Sequence, residues 1–331
     1  MSCKVLYAFY DFAISPVTFD LIHFLVLAES ERKRANCDLL HIVFVPGPND
    51  GFSPTDLNIY RKKGQEDCDI DLMRWRLRNI MLPLCWLIPS CQQITVCASL
   101  EEAQTMQASA ARYIFPRRYS VRFPKEGYSL FELSREESQG NISGCIQATS
   151  QGRRFVNEWI GRRNIANRKI ITVTLRWSPY QEERNSNMKA WSEFIQNLDP
   201  AIYYPVIIKD TWTAFKPLPS ELDSLYVFEE ACWNLELRVA LYELSYLNLS
   251  VTCGPVVFCI FNSRVRYLIF KMMVPSDTDR ARFYRSEGLE PGSQHDHATS
   301  FQRLVWKDDT YPVIQKEFEK MCRKIEKKTE V

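Results

Sequence analysis

One pattern constrains this chain more than any other: a short apolar strand, an amphipathic helix and a second apolar strand open the sequence, and the same succession restarts past its middle. Lys4 to Phe12 is a β-type run. Val17 to Ala35 carries Phe19, Ile22, Phe24, Leu25 and Leu27 in a helical pattern, and Leu39 to Val45 is apolar and partly β-branched. In the second half Lys169 to Leu175 predicts a strand, Asn185 to Leu198 a helix and Ile202 to Ile208 a strand. Two such βαβ openings in 331 residues predict two layered α/β domains instead of one core.

The intervening chain keeps the alternation. Gly47 to Thr55 has turn-forming composition, Ile70 to Leu87 suits a helix and Gln93 to Ala98 a strand, and Ser99 is placed to cap a helix that begins at Leu100. From Arg112 to Gly152 the sequence turns to Pro, Gly, Ser and charge, which predicts the connection between domains 1–150 and 151–331. Arg153 to Asn164 predicts a helix into the second domain. Further on, Tyr226 to Phe228 and Leu249 to Thr252 predict short strands, Asn234 to Tyr246 a helix, and Pro255 to Phe261 a helical turn. Tyr267 to Met273 predicts the last strand, Asp277 to Thr299 a polar loop, and Tyr311 to Lys328 a terminal helix with Pro312 near its start.

Charge and cysteine usage narrow the function classes. A formal net charge of +2 gives no overall basic field for nucleic acid, so no nucleic-acid partner is expected and any anion site must be local. The basic clusters at Arg117-Arg118, Arg153-Arg154, Arg162-Arg163 and Arg323-Lys324 read as solvated faces. The 11 cysteines lack a small-domain spacing and contain no CxxC, which fits free thiols in a reducing, cytoplasmic setting. No secretory signal opens the chain, and no apolar run approaches the roughly 20 residues that span a bilayer.

Where chemistry can sit is clearest at Thr174-Leu175-Arg176-Trp177-Ser178-Pro179-Tyr180 and the following Arg184-Asn185-Ser186-Asn187. This stretch begins where a strand ends and finishes where a helix begins, the place at which open α/β sheets bind ligands. Arg176 and Arg184 can give paired donors to phosphate or carboxylate oxygens, and Tyr180, Asn185 and Asn187 stand beside them. The same Asn185 or Ser186 can equally serve as a plain helix cap.

A second constellation runs through Glu229-Glu230, Glu236, Arg238, Tyr242, Glu243 and Asn248 to Gly254-Pro255. Helical spacing predicts one polar stripe directed at a cleft. Gly254 lets backbone approach a ligand, and Pro255 suits a first helical turn. Asn262 ends the next helical run, and Lys271 lies in an apolar strand, where it reaches either solvent or an anion. In the first domain Tyr10 and Asp11 end the opening strand and predict the opposite wall of an inter-domain cleft.

Other motifs are set aside. His295-Asp296-His297 lacks a third spaced ligand, and Asp69-Ile70-Asp71 and Asp277-Thr278-Asp279 match only the bare DxD pattern, so no metal is assigned. The fingerprints of nicotinamide enzymes, P-loop NTPases, serine hydrolases and zinc proteases are absent.

On Ile171-Thr172-Val173-Thr174-Leu175-Arg176, the helix from Glu236 to Asn248 and the turn Val251-Thr252-Cys253-Gly254-Pro255, the chain resembles GT-B glycosyltransferases of the fucosyltransferase-like branch. The resemblance covers the C-terminal half and departs from that family's His-x-Arg-Arg, with Thr174-Leu175-Arg176-Trp177 in its place. It implies two facing Rossmann-like domains, a nucleotide-sugar donor held in the second by Arg176, an acceptor such as a glycan on the side of the first, and no cofactor. Under this reading Arg176, Arg184 and Lys271 offset charge on the departing nucleotide, and Asp11 or Glu230 serves as base toward the acceptor. The departure from the motif supports a rival expectation, a nucleotide- or glycan-binding protein that keeps this fold without transfer activity.

Overall fold

The computed structural model describes residues 3–53, 69–110, 112–124, 132–133, 135–136, 139, 142, 144–165, 167–179, 181–223, 225–274, 278–286 and 288–329. The chain divides into two compact units, residues 1–147 and 148–331.

In the N-terminal unit β1 (Val5–Asp11), β2 (Leu39–Val45), β3 (Cys91–Val96) and β4 (Ile114–Phe115) form a parallel sheet of order β3-β2-β1-β4. Helices α1 (Leu21–Arg34) and α3 (Leu100–Ser109) join the strands, together with α2 (Ile70–Arg76), which runs on through a π turn at Leu77–Met81 and a last turn at Leu82–Cys85. β1 and β2 are buried along most of their length, as parallel strands covered on both faces must be. Tyr10, Phe12, Phe24 and Phe44 stack edge and face in this core. Ser99 accepts from Glu102 N at 3.2 Å and so starts α3, as the sequence predicts.

The C-terminal unit holds β5 (Lys169–Thr174), β6 (Tyr203–Ile208), β7 (Leu247–Val251), β8 (Tyr267–Phe270) and β9 (Gln302–Leu304), all parallel, in the order β6-β5-β7-β8-β9. Around them lie α4 (Ser150–Arg162), α5 (Met188–Gln196), α6 (Glu229–Trp233), α7 (Leu235–Leu244), α8 (Val257–Ile260), α9 (Thr278–Ser286) and α10 (Tyr311–Thr329). Trp191 and Phe194 of α5 meet Phe270 of β8 and Phe318 of α10 at near right angles, which locks helices and sheet into one core.

Side-chain caps decide where several helices begin. Thr149, Asn187 and Asn234 accept from Gly152 N, Ala190 N and Leu237 N, so α4, α5 and α7 start just beyond them. Two expectations are corrected. The stretch read as a loop after Asp277 contains α9, and Tyr267 to Met273 is not the last strand, because β9 follows on the sheet edge. Tyr226 to Phe228 makes only a single parallel bridge, Ile207 with Val227, because the chain turns into α6 at once.

Strand order fixes where each unit opens. In the C-terminal unit the chain goes from β5 outward to β6, then returns across β5 to lay down β7 on its other side. The carboxyl ends of β5 and β7 therefore flank the reversal of order, where loops diverge and leave a crevice. In the N-terminal unit the corresponding place lies between β1 and β4.

Candidate functional site

Arg176 leaves the carboxyl end of β5 and is buried, with 3% of its surface exposed. Its backbone N donates to Ser186 Oγ at 2.9 Å, and its Nη1 donates to Gln181 O at 3.0 Å and Asn185 Oδ1 at 2.5 Å. Arg184 returns on the far side of the same loop. Its Nη1 donates to Gln181 Oε1 at 2.7 Å and its Nη2 to Thr252 O at 3.3 Å, beyond the end of β7. Gln181 thus serves one arginine with its carbonyl and the other with its side chain. It does so from the left-handed region, at φ 52°, which costs about 1 kcal/mol or more for a residue with a Cβ.

Arg280 of α9 completes the group. Its Nε donates to Met272 O at 2.9 Å, and its Nη2 reaches Tyr284 OH at 3.1 Å and Thr252 Oγ1 at 3.3 Å. Thr252 is therefore reached by two guanidiniums, Arg184 at its carbonyl and Arg280 at its hydroxyl. The electrostatics record this crowding. Burial, with help from Arg280 and Arg176, pushes Arg184 down to about 10, and burial first and Arg280 also lower Arg176, while Asp210 opposes the fall. Arg184 Nε is enclosed without a hydrogen-bond partner. Like charges gathered out of water with an unsatisfied donor are costly, and an anion with several oxygens would relieve both costs.

Lys271 stands at the carboxyl end of β8 with φ 54°, another left-handed residue. Its Nζ donates to Asn185 O at 2.9 Å and lies 3.3 Å from Asp309 Oδ1. Asp309 is fully buried and accepts from Asn187 N at 2.7 Å and Trp191 Nε1 at 2.8 Å. This ion pair ties the arginine loop to the start of α5. Gly254 is exposed in the turn after β7, and Pro255 occupies the first positions of the short 3-10 segment that leads to α8.

The structure thus brings Arg176, Arg184, Asn185, Lys271 and the Gly254-Pro255 turn to one end of the C-terminal sheet. Asn187 caps α5 beside them. Tyr180 lies outside the described residues, as does Asp277 of the second DxD pattern. Arg280 is the residue that the sequence reading missed. Its signal was present in Ala281, Phe283 and Tyr284, a run without Pro or Gly ahead of Gly288, but the surrounding polarity masked it.

The single polar stripe expected on α7 does not form. Arg238 and Tyr242 face the sheet and are buried: Arg238 donates to the carbonyls of Ala231, Cys232 and Lys209, and Tyr242 OH shares a 2.6 Å hydrogen bond with Thr174 Oγ1. Glu236 and Glu243 face α4 instead, meeting Thr149 Oγ1 and Ala148 N. Seven residues amount to nearly two full turns, yet neither acid shares the face of Arg238 and Tyr242. Asn248 sits within β7 and donates to Tyr242 O and Arg266 O, and Asn262 donates to Glu243 Oε1. Both lie toward the amino ends of the strands, away from Arg176. Glu230 is exposed in the first turn of α6, where its neighbour Glu229 pairs with Lys209 Nζ at 2.8 Å.

In the N-terminal unit Asp11 ends β1 at the reversal of strand order. It is buried, its Oδ1 accepts from Ala13 N at 2.8 Å, and its Oδ2 accepts from Tyr119 OH at 2.6 Å. Burial raises its pKa, while these two bonds pull it back. Tyr10 is sealed in the core with its hydroxyl on Pro16 O at 2.6 Å. Among the described residues no group of three or more His, Cys, Asp and Glu side chains converges as metal ligands would, and no helix is long and apolar enough to cross a membrane.

No protein-family model matches the chain, and no curated protein matches it either. Among solved structures, the chain shares the GT-B-like fold of two parallel-sheet units. The chain is similar to the glycosyl transferase family 9 protein from Veillonella parvula DSM 2008, with a TM-score of 0.55 and 10% identity over 92% of this chain and 86% of that one. It is similar also to the E. coli ADP-heptose LPS heptosyltransferase II, with a TM-score of 0.57 and 10% identity over 98% and 99% of the two chains. Likeness at this identity is one of fold. The NodZ α-1,6-fucosyltransferase matches at a TM-score of only 0.34, too loosely to bear on the fucosyltransferase branch.

Proposed function

We propose that this chain is a cytoplasmic glycosyltransferase that takes a sugar from a nucleotide-sugar donor and passes it to a glycan or other hydroxyl-bearing acceptor. The observation that carries this reading is the convergence of Arg176, Arg184 and Arg280 at the reversal of strand order in the C-terminal sheet, with one guanidinium N–H unsatisfied. A donor's diphosphate would bring negative charge to the group and an acceptor to Arg184 Nε. As the bond to the anomeric carbon breaks, charge grows on the diphosphate, and guanidiniums already fixed by Gln181, Asn185 and Thr252 need not reorganise to meet it. Lys271 acts on the loop through Asn185. Asp11 is the stronger candidate for base than Glu230, since burial raises its pKa toward the range in which a carboxylate accepts a proton.

The test is thermal stability against uridine, guanosine, adenosine and cytidine diphosphates and their common sugars, with Arg176→Ala as the comparison. A ligand bound only by the folded chain raises its melting temperature. A rise with one nucleotide family, lost in Arg176→Ala, supports the donor site. No rise with any nucleotide sinks the proposal. Slow hydrolysis of the stabilising donor then separates an enzyme from a protein that only binds it.

A further inference from the structure

At the amino ends of the same strands, opposite Arg176, two hollows adjoin. One, of about 390 Å³, is lined by Arg168, Lys169, Arg264 and Arg266 together with Glu243 and Tyr246. The other, of about 590 Å³, is lined by Trp159, Arg162, Arg163, Arg168 and Tyr204. Arg168 belongs to both. Six cations therefore line the two hollows against one lining carboxylate, Glu243, whose side chain is buried and already engaged by Ala148 N, Asn262 Nδ2, Arg153 and, at 3.9 Å, Arg264.

Aromatic rings hold the cations in place. Arg163 lies over Tyr226 at 3.8 Å, Arg168 over Tyr204 at 4.5 Å, and Lys169 over Tyr246 at 4.8 Å. A guanidinium laid flat on a ring turns its N–H edge outward and loses little further freedom when it grips an oxyanion. Among the described residues no carboxylate lies within ion-pair distance of Arg163, Arg168 or Arg266, whereas Arg162, Lys169 and Arg264 pair with Glu158, Glu326 and Glu243. Helix C-termini gather at this end and attract positive charge. That explains Arg162, in the last turn of α4. It does not explain Arg168 and Arg266, which lie in the connections that enter β5 and β8.

We propose that this face is a second anion site, separate from the arginine cluster at Arg176, and that it takes a ligand carrying at least two phosphate groups, with Arg168 shared between the hollows. The ligand is either a soluble polyphosphorylated molecule or the headgroups of a phospholipid surface. Both present the same oxygens to the same guanidinium edges.

Calorimetric titration of the full chain with tripolyphosphate at fixed ionic strength tests this. Binding that persists in Arg176→Ala and weakens at least about tenfold in Arg163→Ala/Arg168→Ala is expected, since each lost charge-assisted contact is worth about that factor. Arg264→Ala/Arg266→Ala should weaken the same binding, and circular dichroism checks that both double variants are folded. Flotation with phosphatidylglycerol and phosphatidylcholine vesicles separates the sources: co-flotation lost in Arg163→Ala/Arg168→Ala assigns the headgroup, and tripolyphosphate binding without flotation assigns the soluble ligand. The proposal is overturned by binding that vanishes in Arg176→Ala alone, by binding indifferent to both double variants, or by binding of single-stranded RNA without any of tripolyphosphate.

Discussion

The ammonium of Lys271 stands 3.3 Å from the carboxylate of Asp309, one largely and the other wholly buried, and the pair holds the arginine loop to the first turn of α5. Removing Asp309 leaves Lys271 Nζ only Asn185 O and the exposed Asp308, 3.5 Å away. Asp309→Ala also frees Asn187 N and Trp191 Nε1, so it is expected to lower stability by about 3–5 kcal/mol in urea denaturation. Lys271→Met, which keeps both of those bonds to Asp309, should cost less than Asp309→Ala. Equal costs would show that the cap contributes nothing.

Arg184 is expected to trade stability for binding. Its charge is held among other guanidiniums with Nε unsatisfied, so Arg184→Met removes a cost that the folded chain bears without ligand. Replacing a poorly compensated buried charge by an apolar side chain is often neutral or stabilising by about 1–4 kcal/mol. The variant should melt at or above the temperature of the natural chain and show no rise with any nucleotide. A variant that melts lower yet still responds to nucleotide would place the anion elsewhere.

The same guanidinium sets a pH dependence. Its folded pKa of about 10 lies well below that of a free guanidinium, so the cluster keeps its charge at pH 7.5 to 9 and loses it as pH rises through about 10. Diphosphate affinity should therefore be level from pH 7.5 to 9 and fall above that. The sign for stability is opposite: the unfolded chain holds the proton more tightly, so this group's contribution rises as pH climbs above about 10. Titration at constant ionic strength reads the first effect.

Some of this was written in the sequence and some was not. The strands were legible because runs such as Ile170 to Thr174 are apolar and β-branched, and the position of Arg176 at a strand end followed from that run alone. Arg280 was hidden because α9 is mostly polar, so composition resembled a loop while the helix is held by contacts outside it, Met272 O eight residues back and Thr252 Oγ1 twenty-eight back. Arg238 and Tyr242 read as ligand-facing because polar groups are usually exposed. Burial became affordable through partners that no spacing reveals, the carbonyls of Ala231, Cys232 and Lys209 and the hydroxyl of Thr174. Strand order, which locates the crevice, depends on the return across β5, and no local pattern encodes that step.

His41 should govern the acid limb of stability in the N-terminal unit. It is buried in β2 with Nε2 on Thr95 Oγ1 at 2.8 Å, and burial pushes its pKa down to about 4. A depressed folded value means that its contribution is complete above the unfolded value near 6.5 and is lost as pH falls toward about 4. At about 1.4 kcal/mol per pH unit the loss reaches about 3 kcal/mol. His41→Phe should flatten urea stability between pH 6.5 and 4.5, and an unchanged slope would assign the acid limb to other groups.

Tyr119→Phe tests the proposed base. Burial raises the pKa of Asp11, and the bonds from Tyr119 OH and Ala13 N, which favour the charged form, oppose that rise. Without the phenol hydroxyl the carboxylate loses one of two donors and its pKa climbs further. A base works unprotonated, so the acid limb of the transfer rate should move to higher pH while the alkaline limb stays in place. Stability should fall by about 1–3 kcal/mol, the cost of a buried acceptor left short of a partner. A rate profile with the acid limb unmoved, in a variant destabilised by that amount, would make the hydrogen bond structural and pass the role of base to another residue. Glu230→Gln would then be the next variant to assay, because Glu230 is exposed and its loss disturbs no buried group.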